Sequence, residues 1–244
     1  MPNLLKSLRR YISPSRLQRE NIRLGLEECK SFAAGRLLDI GCGNKPYREM
    51  FAPYVTAHFG TDYSDTEFRG VMDVAADATA LPFAANSFDT LLCTEVIEHV
   101  PNPALAFQEM VRVLKPGGYL LLTTPQTWET HRAPYDFFRY TRFGLTHLAT
   151  THGLEVVKMI THTGAGSTIG QLLSVFLFGP FNYKPSLVQI VPALFCQLIM
   201  TAFALLDRFD HQRNLTLGYV MLARKKQFTI QDVENAEKSV EFIF

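Results

Sequence analysis

Two sets of residues have the types and spacing to do chemistry. The first opens at Asp39-Ile40-Gly41-Cys42-Gly43-Asn44-Lys45, where a short apolar run stops on a pair of glycines. Glycine accepts backbone angles closed to other residues and lets a ligand come close to the main chain. A helix after such a turn presents free N–H groups. Asp62 lies 23 residues beyond Asp39, at the end of a second apolar run. That is the spacing at which an acidic side chain accepts hydrogen bonds from ribose hydroxyls in a Rossmann arrangement. Asp77, in Ala76-Asp77-Ala78 after a third run, can accept from an adenine amino group. The implied chemistry is the grip of a ligand that carries a nucleoside.

The second set suits proton transfer and acceptor binding. Glu98-His99 follows a fourth apolar run, and a loop after a fifth carries Trp128, His131, Arg132, Tyr135, Asp136, Phe137, Phe138, Arg139 and Tyr140. Rings with interspersed charge make a pocket in which aromatic faces cover an apolar or sugar surface and a few polar groups orient it. His131 is the general base this loop offers, with His99 and Glu98 as further candidates. The structural alternative is an aromatic anchor that packs the loop on the sheet, with Arg139 paired to Asp136. Cys29, Cys42, Cys93 and Cys196 are far apart with no CxxC pair. Neither a disulfide scaffold nor a structural metal site is expected.

The elements that must position these residues follow from periodicity. The 244 residues fit one α/β domain with additions. A hydrophobic share of 47% against 19% charged excludes disorder over the whole chain. A net charge of +1 gives no broad basic surface, so no nucleic-acid partner is expected. Strands are predicted at 36–40, 55–61, 70–74, 88–94, 119–124, 154–160 and 215–223. Helices are predicted at about 16–30 and 103–114, and from a cap at Thr141 to Gly153. Strand and helix alternate, which implies a parallel sheet with helices on both faces. Right-handed crossovers then put the strand-to-helix loops along one rim.

At this point the ordered segments LLDIGCGNKPY, TDYS, DATALPFAANSFD, LLCTEVIEHVPNP and LKPGGYLLLTTP resemble the class I S-adenosylmethionine-dependent methyltransferases of the small-molecule type, with a type 11-like domain. The resemblance implies S-adenosylmethionine as cofactor and a seven-stranded Rossmann-like sheet in the order 3-2-1-4-5-7-6, its seventh strand antiparallel. It assigns Asp39, Gly41 and Gly43, with Cys42 between them, to the methionine part of the cofactor. Asp62 with Tyr63 falls to the ribose, Asp77 and Ala78 to the adenine edge, and Glu95 to the pocket wall. The family often has a third glycine where this chain has Lys45. A nicotinamide dehydrogenase would carry a glycine where Pro46 stands.

Four segments follow. Residues 1–36 are basic amphipathic helices, with eight Lys and Arg against three Glu, that cover the sheet or rest on anionic lipid. Residues 37–163 are the methyltransferase core, 164–213 a hydrophobic helical insertion, and 214–244 the last strand and a charged tail. From 159 to 206 only Lys184 carries a formal charge. Such a segment can enter a bilayer as a hairpin, lie over the acceptor pocket, or join two copies as a homodimer surface. Membrane contact through residues 164–206 is the expectation favoured. The first residues lack a signal-peptide pattern, so a cytoplasmic location, membrane-associated, is expected. The function expected is methyl transfer to a small or lipid- or glycan-linked acceptor, at oxygen. The alternative is a catalytically silent Rossmann-like module that anchors an assembly at a membrane.

Overall fold

The computed structural model describes residues 16–64, 70–178 and 186–227, with only the helical backbone described at 186–190. The expected helix around Leu4–Ile12, Lys184 and the tail beyond Gln227 lie outside them.

Strand β1 (Arg36–Ile40) carries Leu37, Leu38 and Ile40, all buried. A run apolar on both faces is what a central parallel strand needs, because helices cover both sides. The same holds for β4 (Phe88–Thr94). With β2 (Ala57–Asp62), β3 (Val74–Ala75), β5 (Leu114–Pro125), β6 (Leu154–Thr161) and β7 (Gly218–Lys225) they form one sheet in the order β3-β2-β1-β4-β5-β7-β6. β7 runs antiparallel to β5 and β6, and the other pairs are parallel. This is the order that the resemblance implied.

Alternate side chains of each strand face opposite layers. Leu91 and Leu122 join Phe88, Phe107 and Met110 in one core. Leu92 and Leu121 join Ile22, Leu26 and Phe51 in the other. The first core is covered by α3 (Pro103–Val113) and α4 (Arg142–Thr151), the second by α1 (Arg16–Cys29) and the short α2 (Arg48–Phe51). Helix α3 starts where Asn102 accepts from the Leu105 N–H at 3.3 Å, with Pro103 in its first turn. Thr141 caps α4 as expected, accepting from the Gly144 N–H at 3.1 Å. Helix α1 thus takes the sheet-covering role.

Five strands differ from expectation in their limits, β2 and β6 by one or two residues and the other three by more. Residues 70–73 turn, leaving a third strand of two residues at Val74–Ala75. The fifth strand begins at Leu114 instead of Tyr119, running through Pro116-Gly117-Gly118 with a register shift opposite Phe88 and Thr90. The last strand extends to Lys225, so Arg224 and Lys225 belong to the sheet and not to the charged tail. The Lys225 ammonium donates to the Leu114 and Val111 carbonyls at 2.6 and 2.7 Å.

Between β6 and β7 the chain leaves the sheet as α5 (Ala165–Phe178) and α6 (Ser186–Ala204), closed by a 3-10 turn at Leu205–Phe209. Gly166, Gly170 and Ser174 form a small-residue stripe along α5. A Cβ at Gly166 would sit 2.3 Å from the Phe203 carbonyl, so only glycine admits this approach. Ser174 donates to the Cys196 carbonyl at 3.2 Å. At the base, Asp207 accepts from the Ser167 N–H at 2.9 Å and Asp210 from the Ala165 N–H at 2.7 Å. The far end of the hairpin thus caps its own beginning. Residues Val191–Phe209 have a mean hydropathy of 1.4 and are only 11% buried. Val191, Leu194, Phe195, Leu198, Leu205, Leu206 and Phe209 are all exposed, and the four of them on α6 span an arc of about 100° opposite the stripe packed on α5.

Candidate functional site

The carboxyl ends of β1, β2, β4 and β5 meet along one rim. In the register, Ile40 lies beside Thr61 and Cys93, and Thr94 beside Thr123. At this rim a cleft of about 260 Å³ is lined by Gly41, Gly43, Asp62, Tyr63, Ala78, Glu95, His99 and His131, with Ile40, Ala76, Thr94, Val96, Val100 and Arg132. Of the residues singled out in the sequence, nine therefore line this one cleft, Arg132 among them. Asp39, Cys42, Asp77 and Glu98 stand behind it.

The turn is built by conformation. Gly41 and Gly43 have φ of 67° and 51°, in the left-handed region that glycine enters freely. Lys45, where the family often has glycine, has φ of 52°. Its ammonium donates to Asp73 at 2.5 Å, and Asp73 also accepts from the Gly60 N–H at 2.7 Å. Burial alone would raise Asp73, but these donors hold it below the usual carboxylate range. An ion pair thus holds the strained residue in the place of a glycine.

Asp62 ties the turn to β2: one oxygen accepts from the Gly43 N–H at 2.9 Å, the other from the Tyr63 N–H at 2.8 Å. Each carboxylate oxygen has capacity for one more donor. Tyr63 donates its hydroxyl to Asp77 at 3.2 Å, and Asp77 accepts from the Thr79 N–H and hydroxyl at 2.8 Å each. Asp77 therefore acts on the cleft through Tyr63. Asp39 is buried beneath the turn, with one oxygen 3.2 Å from His58 Nε2 and the other without a hydrogen-bond partner among the described residues. Burial raises it.

Glu95 has φ of 53°, uncommon for a non-glycine residue. Its N–H donates to the Thr123 carbonyl at 3.0 Å, and its carboxylate accepts from the Thr123 hydroxyl at 2.9 Å and the Gln18 amide at 3.0 Å. Glu98 is fully buried; one oxygen accepts from the Thr124 hydroxyl at 3.3 Å, and the other, 3.8 Å from His99 Nε2, has no hydrogen-bond partner among the described residues. Burial pushes both carboxyls up, and Glu95 pushes Glu98 further.

The other end of the cleft is imidazole. His99 and His131 meet edge to face, ring centres 4.7 Å apart. The Nδ1 of His99 lies 2.5 Å from the Tyr135 carbonyl, which assigns the proton to that nitrogen and leaves Nε2 to accept. Burial lowers His99, against the pull of that carbonyl, so it is neutral at pH 7. One donor atom each of Glu98, His99 and His131 lies within 4.8 Å of the others. Asp136 accepts from both ends of the Arg139 guanidinium at 2.7 Å and from the His131 N–H at 3.0 Å. The expected Arg139–Asp136 anchor is therefore present, and it carries His131 to the cleft edge. Trp128 and Tyr135 are not among the lining residues.

Gln18 was missed in the sequence. It lies 77 positions before Glu95 on a helix read as sheet cover or lipid contact, with no role in the site. Val96 and Val100 also lack a chemical signature.

A methyltransferase domain family matches residues 38–122. The chain is 34% identical to a ubiquinone biosynthesis O-methyltransferase of Xanthomonas oryzae pv. oryzae, covering 46% of this chain and 50% of that one. It is 35% identical to a demethylmenaquinone methyltransferase of Renibacterium salmoninarum, over 41% and 45%. The chain thus spans about half the length of the curated relatives it matches. Among solved structures, the [4+2]-cyclase SpnF aligns with a TM-score of 0.56 at 22% identity, over 85% of this chain and 82% of that one. An S-adenosylmethionine-dependent methyltransferase from Mesorhizobium loti aligns with 0.51 at 15%, over 82% and 95%. These two likenesses are of fold, and a fold that includes a cyclase does not by itself fix a reaction.

Proposed function

We propose that this chain, whose residues 38–122 match a methyltransferase domain family, is a class I S-adenosylmethionine-dependent methyltransferase that binds S-adenosylmethionine in the cleft and directs its methyl group to an oxygen of a small acceptor. The observation that carries this reading is the cradle at Gly41. Gly41 lines the cleft, and a Cβ there would stand 2.3 Å from a Val96 methyl, so only glycine fits at this position. Gly41 and Gly43 receive the methionine part, Asp62 the ribose hydroxyls, and Tyr63 and Ala78 the adenine, with Asp77 orienting Tyr63.

When bound, the cofactor supplies a methyl group already activated on a sulfonium. The chain's own residues must align the acceptor, exclude water and accept a proton. Alignment alone contributes about 7–11 kcal/mol. His131 takes the acceptor proton, with His99 beside it and Glu98 behind, and Asp136 fixes the loop that carries His131. The names of the curated relatives support a quinone-type ring as acceptor. No observation among the described residues favours a catalytically silent anchoring module.

Titration of S-adenosylhomocysteine into the full chain tests this directly. Saturable binding is expected, and its absence at high concentration rejects the reading. His131→Ala should leave that binding within about twofold while turnover falls about 10²–10⁴-fold, the usual worth of a general base. Full turnover in this variant removes His131 from the role.

The exposed apolar arc of α6 supports an acceptor met at a membrane surface, through residues 164–206. A bilayer accepts such a face without a protein partner. The chain should float with phospholipid vesicles. Leu198→Asp with Phe209→Asp, both at exposed positions, should weaken that association at least about tenfold, since each buried apolar side chain is worth about 1.5–3 kcal/mol. Equal flotation of the variant rejects membrane contact. A dimer in vesicle-free solution that the variant loses would point to a second copy instead.

A further inference from the structure

The described residues give Glu95 an unusual setting. It is a carboxyl on the cleft wall with two neutral donors, Gln18 and Thr123, and no ion pair among the described residues. Three positions on, Glu98 is buried with one oxygen that has no hydrogen-bond partner among the described residues and lies 3.8 Å from His99 Nε2. The charged and titratable groups around Glu95 come from several elements. Cys93 and Glu98 stand on its own segment, Tyr47 before α2, and Arg139 on the loop after β5. Asp62, His99, His131 and Arg132 line the same cleft. Of the two cations, Arg139 is already held by Asp136 at 2.7 Å on both nitrogens, and Arg132 follows His131 on the loop beside His99. Two adjacent carboxyls in such a place resist ionising together unless a cation arrives.

We propose that Glu95 distinguishes the sulfonium cofactor from its thioether product: ionised, it holds the positive sulfur, and protonated, it lets the neutral one leave. This rests on the reading of the cleft given above. The count balances. Taking up the cation expels a proton from the Glu95–Glu98 pair to solvent. In transfer the sulfur–carbon bond breaks with its electron pair staying on sulfur, and a carbon–oxygen bond forms to the acceptor. The acceptor hydroxyl gives its proton to His131, which passes it to solvent, and the carboxyl pair regains one from solvent. The Thr123 hydroxyl suits both states, because it can donate to the carboxylate or accept from the acid. Gln18, by donating from α1, is the positioning residue for this carboxyl.

The sign of the pH dependence follows. Below the carboxyl's titration the cation must displace a proton to bind, so affinity for the cation rises with pH and then levels. The neutral product, which shares every other group with the cofactor, lacks that rise. Calorimetric titration of the full chain with S-adenosylmethionine, S-adenosylhomocysteine and sinefungin, whose ammonium stands where the methylsulfonium would, reads this without turnover. From about pH 6 to about pH 8 the preference for S-adenosylmethionine over S-adenosylhomocysteine should grow about tenfold, one pH unit of linkage. Heats in two buffers of different ionisation enthalpy should show a proton released with the two cations and not with the product. Glu95→Gln should flatten the profile and cut the preference about tenfold, with S-adenosylhomocysteine affinity within about threefold. The proposal is overturned if cofactor and product share one pH profile and proton count in the unaltered chain, which needs no variant to fold. It is equally overturned if Glu95→Gln weakens both alike. Binding of neither overturns the methyltransferase reading as well.

Discussion

Gly41→Val is expected to abolish cofactor binding while leaving the sheet folded. Gly41 has φ of 67°, a conformation a β-branched residue rarely enters. The new Cβ would lie 2.3 Å from a Val96 methyl. Relief requires either the turn or Val96 to move, and both line the cleft. A backbone held against its preference costs about 1–3 kcal/mol, which a domain of this size can bear. The cofactor meets a filled cradle in addition. Equilibrium dialysis with S-adenosylhomocysteine should show at least about 100-fold weaker binding, or about 2.7 kcal/mol, with a melting temperature lowered by only a few degrees. Unchanged affinity would mean the ligand does not lie on this turn.

Asp62→Ala should be nearly as damaging by another route. The carboxylate accepts the Gly43 and Tyr63 N–H groups, so its loss frees one residue of the glycine turn and one residue of the adenosine side together. Hydrogen bonds to a charged group are worth about 1.5–3 kcal/mol each. Affinity for S-adenosylhomocysteine should fall about 100-fold or more, and Asp62→Asn should fall between, because an amide offers one acceptor where the carboxylate offers two. Binding that survives Asp62→Ala within threefold would remove the ribose role.

The strands whose limits were read without error, β1 and β4, are buried on both faces and end where the chain must turn. Strands at the periphery were harder. β3 pairs two residues with Thr61 and Asp62 and has no apolar run to announce it. β7 keeps Arg224 and Lys225 because their charges find carbonyls and a ring nearby, which composition cannot reveal. In the site, the glycine turn and Asp62 were legible because backbone conformation and ribose chemistry restrict residue type. Lys45 looked like a departure from pattern, and its compensation, Asp73, sits on a different strand connection. Gln18 was invisible for a related reason: an amide on an amphipathic helix has no distinctive spacing, and its partner is fixed only when α1 docks. Asp39 and Glu98 were read as cleft residues, yet they work from behind it, since strand and loop direction decide which side chains face outward.

The antiparallel β7 has a consequence for how this molecule can change over generations. Because β6 and β7 run in opposite directions, the chain leaves and re-enters the sheet at one edge, and the Thr163–Thr216 and Gln126–Leu217 contacts stitch that doorway shut. None of the described residues threaded between them lines the cleft. The hairpin could be exchanged for another appendage while the machinery below stayed intact, so where such a protein works and whom it serves can drift separately from the reaction it performs.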